Sequence, residues 1–296
     1  MHLQTIVALT DFSAAAEQGL DRAALLASSH HARLRILYGA ETIDPRFVDP
    51  QARLEQRARQ LARRHDIVVT AVESSGDGVG DLLAEAGRAD LLVVYGRMRL
   101  SWRKLWRGSG LSRILRSSPC PVLVVQSAPR GAYERVLVAA NFSKVSGALL
   151  RYAGGLEADA WLEVYHAIDS RDEAKLRSAE ASMKAVQRYR TEAPQHARHR
   201  MLQLTDAFDT RRNRVATVIG AGDPARQLAV QQESSGADLV AVGHTRRPAW
   251  VEFLVGGVAQ RLVGGIGCDL LVFPRDYALP EGRAGAPGRG MSGQCA

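Results

Sequence analysis

The sequence predicts an α/β protein built from two repeated five-stranded, doubly wound parallel-sheet domains. Three observations predict it. Short runs rich in Val, Ile and Leu alternate with longer stretches of helical character, as strands buried on both faces of a parallel sheet require. The alternation is written twice along the chain. Finally, 296 residues with 46% apolar and 24% charged side chains suit a globular protein of about two domains, each long enough to bury its own core.

The repeat is legible in four places and in one order. IVALTDFSAAAEQGL from Ile6 parallels VLVAANFSKVSGALL from Val136, and LRILYGAETID from Leu34 parallels LEVYHAID from Leu162. RADLLVVYG, ending at Gly96, parallels GADLVAVG, ending at Gly243, and SPCPVLVV from Ser118 parallels IGCDLLVF from Ile266. The first domain is expected over 1–128 and the second over 134–275. SAPRGAY at 127–133 links them, and 276–296, rich in Gly and Pro without apolar periodicity, is expected to be a disordered tail.

Within the first copy the apolar runs place strands near 4–10, 34–39, 66–73, 90–95 and 121–126. Ser13 is placed to cap a helix over 14–29, because its hydroxyl can accept from an orphan amide of the first turn. The Arg-rich stretch 50–64 reads as a solvent-facing helix, and 79–88 and 109–117 read as two shorter ones. GDGVG at 76–80 reads as a turn before the third helix. The second copy repeats this from Arg135 to Phe273 with a longer middle, read as a long helix interrupted near Pro194, since proline removes a donor and clashes with the preceding turn.

If the strand order is 3-2-1-4-5, the winding reverses between the first and fourth strands, and a crevice opens at their carboxyl ends. Asp11 and Gly96 would face each other there. Gly108 and Ser109 follow immediately before a helix, where backbone amides attract phosphate and glycine permits close approach. An acid for a nucleoside and bare backbone for phosphates suit a nucleotide. No GxxxxGK[ST] loop occurs, and no GxGxxG follows the first strand, so neither a P-loop nor a dinucleotide site is expected.

These residues carry a resemblance. TDFS, ADLLVVYG, the glycine loop into GSG-LSRIL and SPCPVLVV look like the universal stress protein family, and the second copy matches through VAANFS, GADLVAVG, GGVAQRL and CDLLVF. The resemblance implies small domains of the adenine nucleotide alpha hydrolase-like type, pairing through their last strands as an internal pseudo-dimer. It implies a role in stress tolerance rather than efficient catalysis, and an adenine nucleotide as the ligand that members often bind, ATP with an accompanying Mg2+. The family's ATP-binding loop has the form G-x2-G-x9-G-[ST]. Gly96 matches its first glycine and Gly108-Ser109 its last pair, but Arg99 replaces the middle glycine and only eight residues follow it. Arg99 either clamps phosphate with its guanidinium or fills the space that phosphates need. Asp11 matches the nucleoside-contacting acid. In the second copy Gly243 and Gly256 match with full spacing, yet Arg246, Gly257 and Asn141 replace the middle glycine, the hydroxyl residue and the acid. The first copy is thus expected to keep the better site and the second a degenerate one.

Net charge is +8, and from Leu91 to Tyr133 eight Arg or Lys stand without one acid, so the surplus is local. No recognised nucleic-acid-binding fold presents it. Trp102, Leu105 and Trp106 fall at helical spacing within it, fit for a contact surface but too short for strong membrane binding. No apolar run spans a membrane and the first residues lack signal-peptide features, so a cytoplasmic location is expected. Cys120 and Cys268 precede the two last strands as buried small hydrophobes, and Cys295 lies in the tail. His196 and His199 lack a completing ligand set, so no metal site of the protein's own is expected. No nucleophile-base-acid set stands out, and any ATPase activity is expected to be weak. The alternative reading is a nucleotide-free module that recruits a protein partner through its altered loops. A homodimer of whole chains is left open.

Overall fold

The computed structural model of the chain describes residues 2–39, 49–75, 78–96, 110–170, 178, 182–206, 215–243, 258–263 and 265–279. The first copy runs β1 (Thr5–Thr10), α1 (Ala14–His30), β2 (Arg33–Tyr38), α2 (Pro50–His65), β3 (Val69–Val72), α3 (Gly78–Ala86), β4 (Leu91–Tyr95), α4 (Gly110–Ser117) and β5 (Val122–Val125). The second runs β6 (Arg135–Ala139), α5 (Lys144–Leu156), β7 (Trp161–Ile168), α6 (Met183–Asp206), β8 (Val215–Ala221), α7 (Pro224–Ser235), β9 (Leu239–Gly243), α8 (Val258–Leu262) and β10 (Asp269–Phe273).

All ten strands form one sheet, in the order β3-β2-β1-β4-β5-β10-β9-β6-β7-β8. Each half therefore has the predicted order 3-2-1-4-5. Neighbours pair in parallel throughout each half, and β5 meets β10 antiparallel with Leu123 opposite Leu271 at the centre. The predicted pairing through the last strands is what fuses the halves. Central strands are buried at every position because helices cover both faces: LLVVY of β4, VLVV of β5 and DLLVF of β10 are wholly buried, and apolar save for Asp269 and the Tyr95 hydroxyl. Helices α1, α2, α5 and α6 pack into one continuous core on one face, and α3, α4, α7 and α8 into a second core on the other.

Local chemistry fixes the ends. Ser13 Oγ accepts from Ala16 N at 3.2 Å and caps α1 as predicted. Asp49 caps α2 and Asp223 caps α7 in the same way, each followed by Pro at the first helical position. Strand β3 is shorter than the predicted 66–73 because Asp66, left-handed at φ 52°, ends α2 and its amide closes on the Ala62 carbonyl. Helix α3 begins at Gly78, so the latter part of GDGVG is its first turn rather than a separate one; residues 76 and 77 lie outside the described residues.

Two expectations are corrected. Helix α6 is not interrupted at Pro194 but runs through it for 24 residues. An interior proline costs about 3 kcal/mol, and burial of Val186 on one side and of Ala197 and Met201 on the other holds the helix to the sheet across that weak point. The tail expected over 276–296 is also not free from its start. Tyr277 packs edge-on against Tyr152 and Phe273, at 6.0 and 5.4 Å between ring centroids, and Leu279 packs against the same core.

Candidate functional site

Strands β1 and β4 are neighbours, with Ile6 opposite Leu91 and Ala8 opposite Val93. Continuing that register brings Asp11 and Gly96 to the same carboxyl-end crevice, as the sequence predicted. In the second copy Val136 lies opposite Leu239 and Ala139 opposite Val242, which sets Ala140 beside Gly243; Gly243 thus takes the place of Tyr95 rather than of Gly96, and Asn141 follows at the same carboxyl end. Arg99, Gly108, Ser109 and Gly256, with the tryptophans of the basic loop, lie outside the described residues.

The acid is held rather than loose. Asp11 Oδ1 accepts from Ser13 N at 2.9 Å, closing a turn into α1. Tyr95, the last residue of β4, is 3% exposed. Burial, and then its hydrogen bond to the Asp11 carboxylate, push the Tyr95 hydroxyl far above the usual phenol range. Tyr95 thus stays a neutral donor that orients the carboxylate across the crevice floor. In the second copy Asn141 Oδ1 accepts from Ser143 N at 3.1 Å and from Ser146 Oγ at 2.9 Å, while Gly243 stands where Tyr95 would be. That acceptor is spent internally.

Gly96 is tight. A Cβ there would stand 3.1 Å from Cγ of Gln126 and 3.5 Å from Val124 Cγ1, so glycine lets the loop leave β4 close beside β5. Its amide donates to the Val125 carbonyl at 2.8 Å. Gln126 is itself tied to the other half, its side-chain amide donating to the Cys268 carbonyl at 2.7 Å.

A feature that sequence reasoning missed flanks each crevice. Phe12 and Phe142 both adopt the left-handed region, at φ 61° and 56°. Phe12 stacks on Tyr38 at 5.0 Å with Arg53 over its ring at 4.8 Å; Phe142 packs on His166 at 4.2 Å with Arg200 at 5.9 Å. Burial pushes the His166 imidazole below its usual range, partly offset by its bond to the Ala140 carbonyl at 2.7 Å. The shared DFS and NFS tripeptides were the available signal for the phenylalanines. The arginines gave none, since one comes from the first turn of α2 and the other from near the end of α6.

Elsewhere Cys120 and Cys268 are buried as expected, and burial pushes both thiols up to about 12, which leaves them poor nucleophiles. A groove lined by His2, His30, His31 and Arg33 lies at the amino ends of β1 and β2, away from the crevice. No group of three or more His, Cys, Asp or Glu among the described residues could hold a metal ion. No helix among them is long and apolar enough to cross a membrane.

The described residues of the first crevice thus set a fixed carboxylate acceptor beside a glycine whose backbone lies close to its neighbours. Comparison with known proteins bears on this geometry. The model of the universal stress protein family matches residues 2–126 and again 132–274. Among solved structures the chain is similar to a universal stress protein from Archaeoglobus fulgidus DSM 4304, with 16% identity, TM-score 0.65, and coverage of 92% of this chain and 96% of that one. It is similar also to a protein from Pseudomonas aeruginosa UCBPP-PA14 assigned to the same family, with 19% identity, TM-score 0.60, and coverage of 92% and 93%. A protein of unknown function from Pseudomonas aeruginosa PAO1 has 20% identity and TM-score 0.58, with 92% of each chain covered. No curated protein matches.

Proposed function

Because the chain belongs to the universal stress protein family as a tandem member, we propose that it is a cytoplasmic stress-response protein whose first copy binds an adenine nucleotide. The second copy carries a degenerate site. The observation that supports this most is the Asp11 carboxylate, fixed by Ser13 N and by Tyr95 beside Gly96 at the crevice. A carboxylate held in this way can accept from nucleoside hydroxyl or amino groups without ordering itself first.

In this reading Asp11 takes the nucleoside, Gly96 and Gly108 let backbone approach the phosphates, and Ser109 and Arg99 bind them. Mg2+ would accompany the phosphates and supply charge neutralisation. Gly243 and Gly256 frame the second crevice, where Asn141 Oδ1 already has two internal donors. That spent acceptor favours, for the second copy, a use as a nucleotide-free contact surface for a protein partner. The described crevice offers no base poised to activate water, so nucleotide binding is expected without robust turnover.

Calorimetric titration of the full chain with Mg-ATP tests the reading. One saturable site per chain is expected, weakened about tenfold to a hundredfold by Asp11→Ala, the range for losing hydrogen bonds to a charged group. Asn141→Ala is expected to leave it unchanged. Absence of saturable heat, or equal affinity with Asp11→Ala, would refute the nucleotide site.

A further inference from the structure

The seam between the halves looks symmetric along its strands and is not symmetric at its ends. Leu123 and Leu271 sit on the local two-fold, with Val122 opposite Val272 and Val124 opposite Leu270. By strand pairing alone, β5 would fit a second β5, and β10 a second β10, as well as they fit each other.

The ends differ completely. Where β5 finishes beside the start of β10, Asp269 is 0% exposed and its carboxylate has five polar neighbours. Oδ1 accepts from Gln126 N at 2.9 Å, Ser127 N at 3.3 Å and Ser127 Oγ at 3.4 Å, and Oδ2 accepts from the Tyr133 hydroxyl at 2.7 Å. Arg22 of α1, 5% exposed, brings Nε to 3.4 Å from Oδ2, donates from Nη1 to the Gly131 carbonyl at 2.6 Å, and lies 3.9 Å over the Tyr133 ring. At the other end the equivalent of Asp269 is Pro121, that of Gln126 is Pro274, and that of Arg22 is Tyr152. Neither proline has an amide to donate. Tyr152 instead packs on Phe273 and Tyr277 and donates to the Asp90 carbonyl at 2.7 Å.

We propose that this difference makes the seam selective, so that each half accepts only the unlike half. Two first copies joined through β5 would bury Arg22 twice with no carboxylate. Two second copies joined through β10 would bury Asp269 twice, facing a proline and a tyrosine. Unpaired buried charge is among the most destabilising defects a protein can carry. Only the unlike pairing places one acid, one guanidinium and the donors of Gln126 and Ser127 together. The linker contributes Gly131 and Tyr133 to that end, which ties selection to closure within one chain. The partner surface that β5 fits is therefore the chain's own β10, and like-with-like pairing between chains is excluded.

The test uses the full chain with Cys295→Ser and Leu123→Cys, because β5-to-β5 pairing would set the two new thiols opposite each other. With the native seam, oxidation is expected to give no inter-chain disulfide. Adding Arg22→Met and Asp269→Leu together is expected to make an inter-chain disulfide appear. Arg22→Met or Asp269→Leu alone should lower the Tm by about 5–10 °C, with the double variant recovering most of that loss and Arg22→Lys retaining closure. Equal cross-linking with native and double-variant seams, or single losses that simply add, would overturn the proposal.

Discussion

His30 and His166 each give a ring N–H to a main-chain carbonyl, of Leu156 at 2.9 Å and of Ala140 at 2.7 Å. For both, burial is the dominant effect and holds the imidazole below its usual range. His65 is lowered as well, by burial and then by Arg64. A histidine whose folded value lies below its unfolded one binds its proton more readily when unfolded. Its contribution is thus complete above the ordinary value of 6.5 and is lost as pH falls below it. Thermal unfolding is expected to show a Tm that declines from pH 7.5 to 5.5. His30, 7% exposed, is expected to contribute to that loss, and His30→Asn should flatten the profile. A Tm that rises on acidification would contradict this account. His30 also reaches across from α1 to α5, so its protonation acts on the contact between the halves.

At the scale of elements, α6 is the informative departure. The sequence rule that proline breaks helices is local, whereas the outcome here is set by what lies on either side. Pro194→Ala restores a missing donor and relieves a clash, and is expected to stabilise the protein by about 1–3 kcal/mol in denaturant unfolding; no gain would mean that the proline is accommodated without cost. Elements decided by local chemistry were legible beforehand: the Ser13 cap, the apolar runs of β4 and β5, and the start of α2 at Pro50. Of the candidate site, Asp11 and Gly96 were legible because strand order alone brings their ends together. Tyr95, Gln126 and Arg53 were not, because each acts through a contact with a residue distant in the chain that no spacing encodes.

For the whole molecule, the ten-stranded sheet has one continuous core on each face, shared by both halves. Tyr277 closes the aromatic end of the seam against Tyr152 and Phe273. Tyr277→Ala is expected to cost about 2 kcal/mol, through lost burial and ring contacts. A single cooperative transition is expected to persist in thermal unfolding. Two separate transitions in the parent chain would show that the halves melt independently, against the shared core.

The covalent join has a consequence for how such a molecule can change over time. In a pair made of identical subunits, every substitution falls on both sides at once, and a charge introduced near the axis meets its own duplicate. On one chain the two positions are inherited separately. That freedom allows Arg22 and Tyr152 to occupy the same place in the two halves, and it lets one crevice keep an acid while the other discards it.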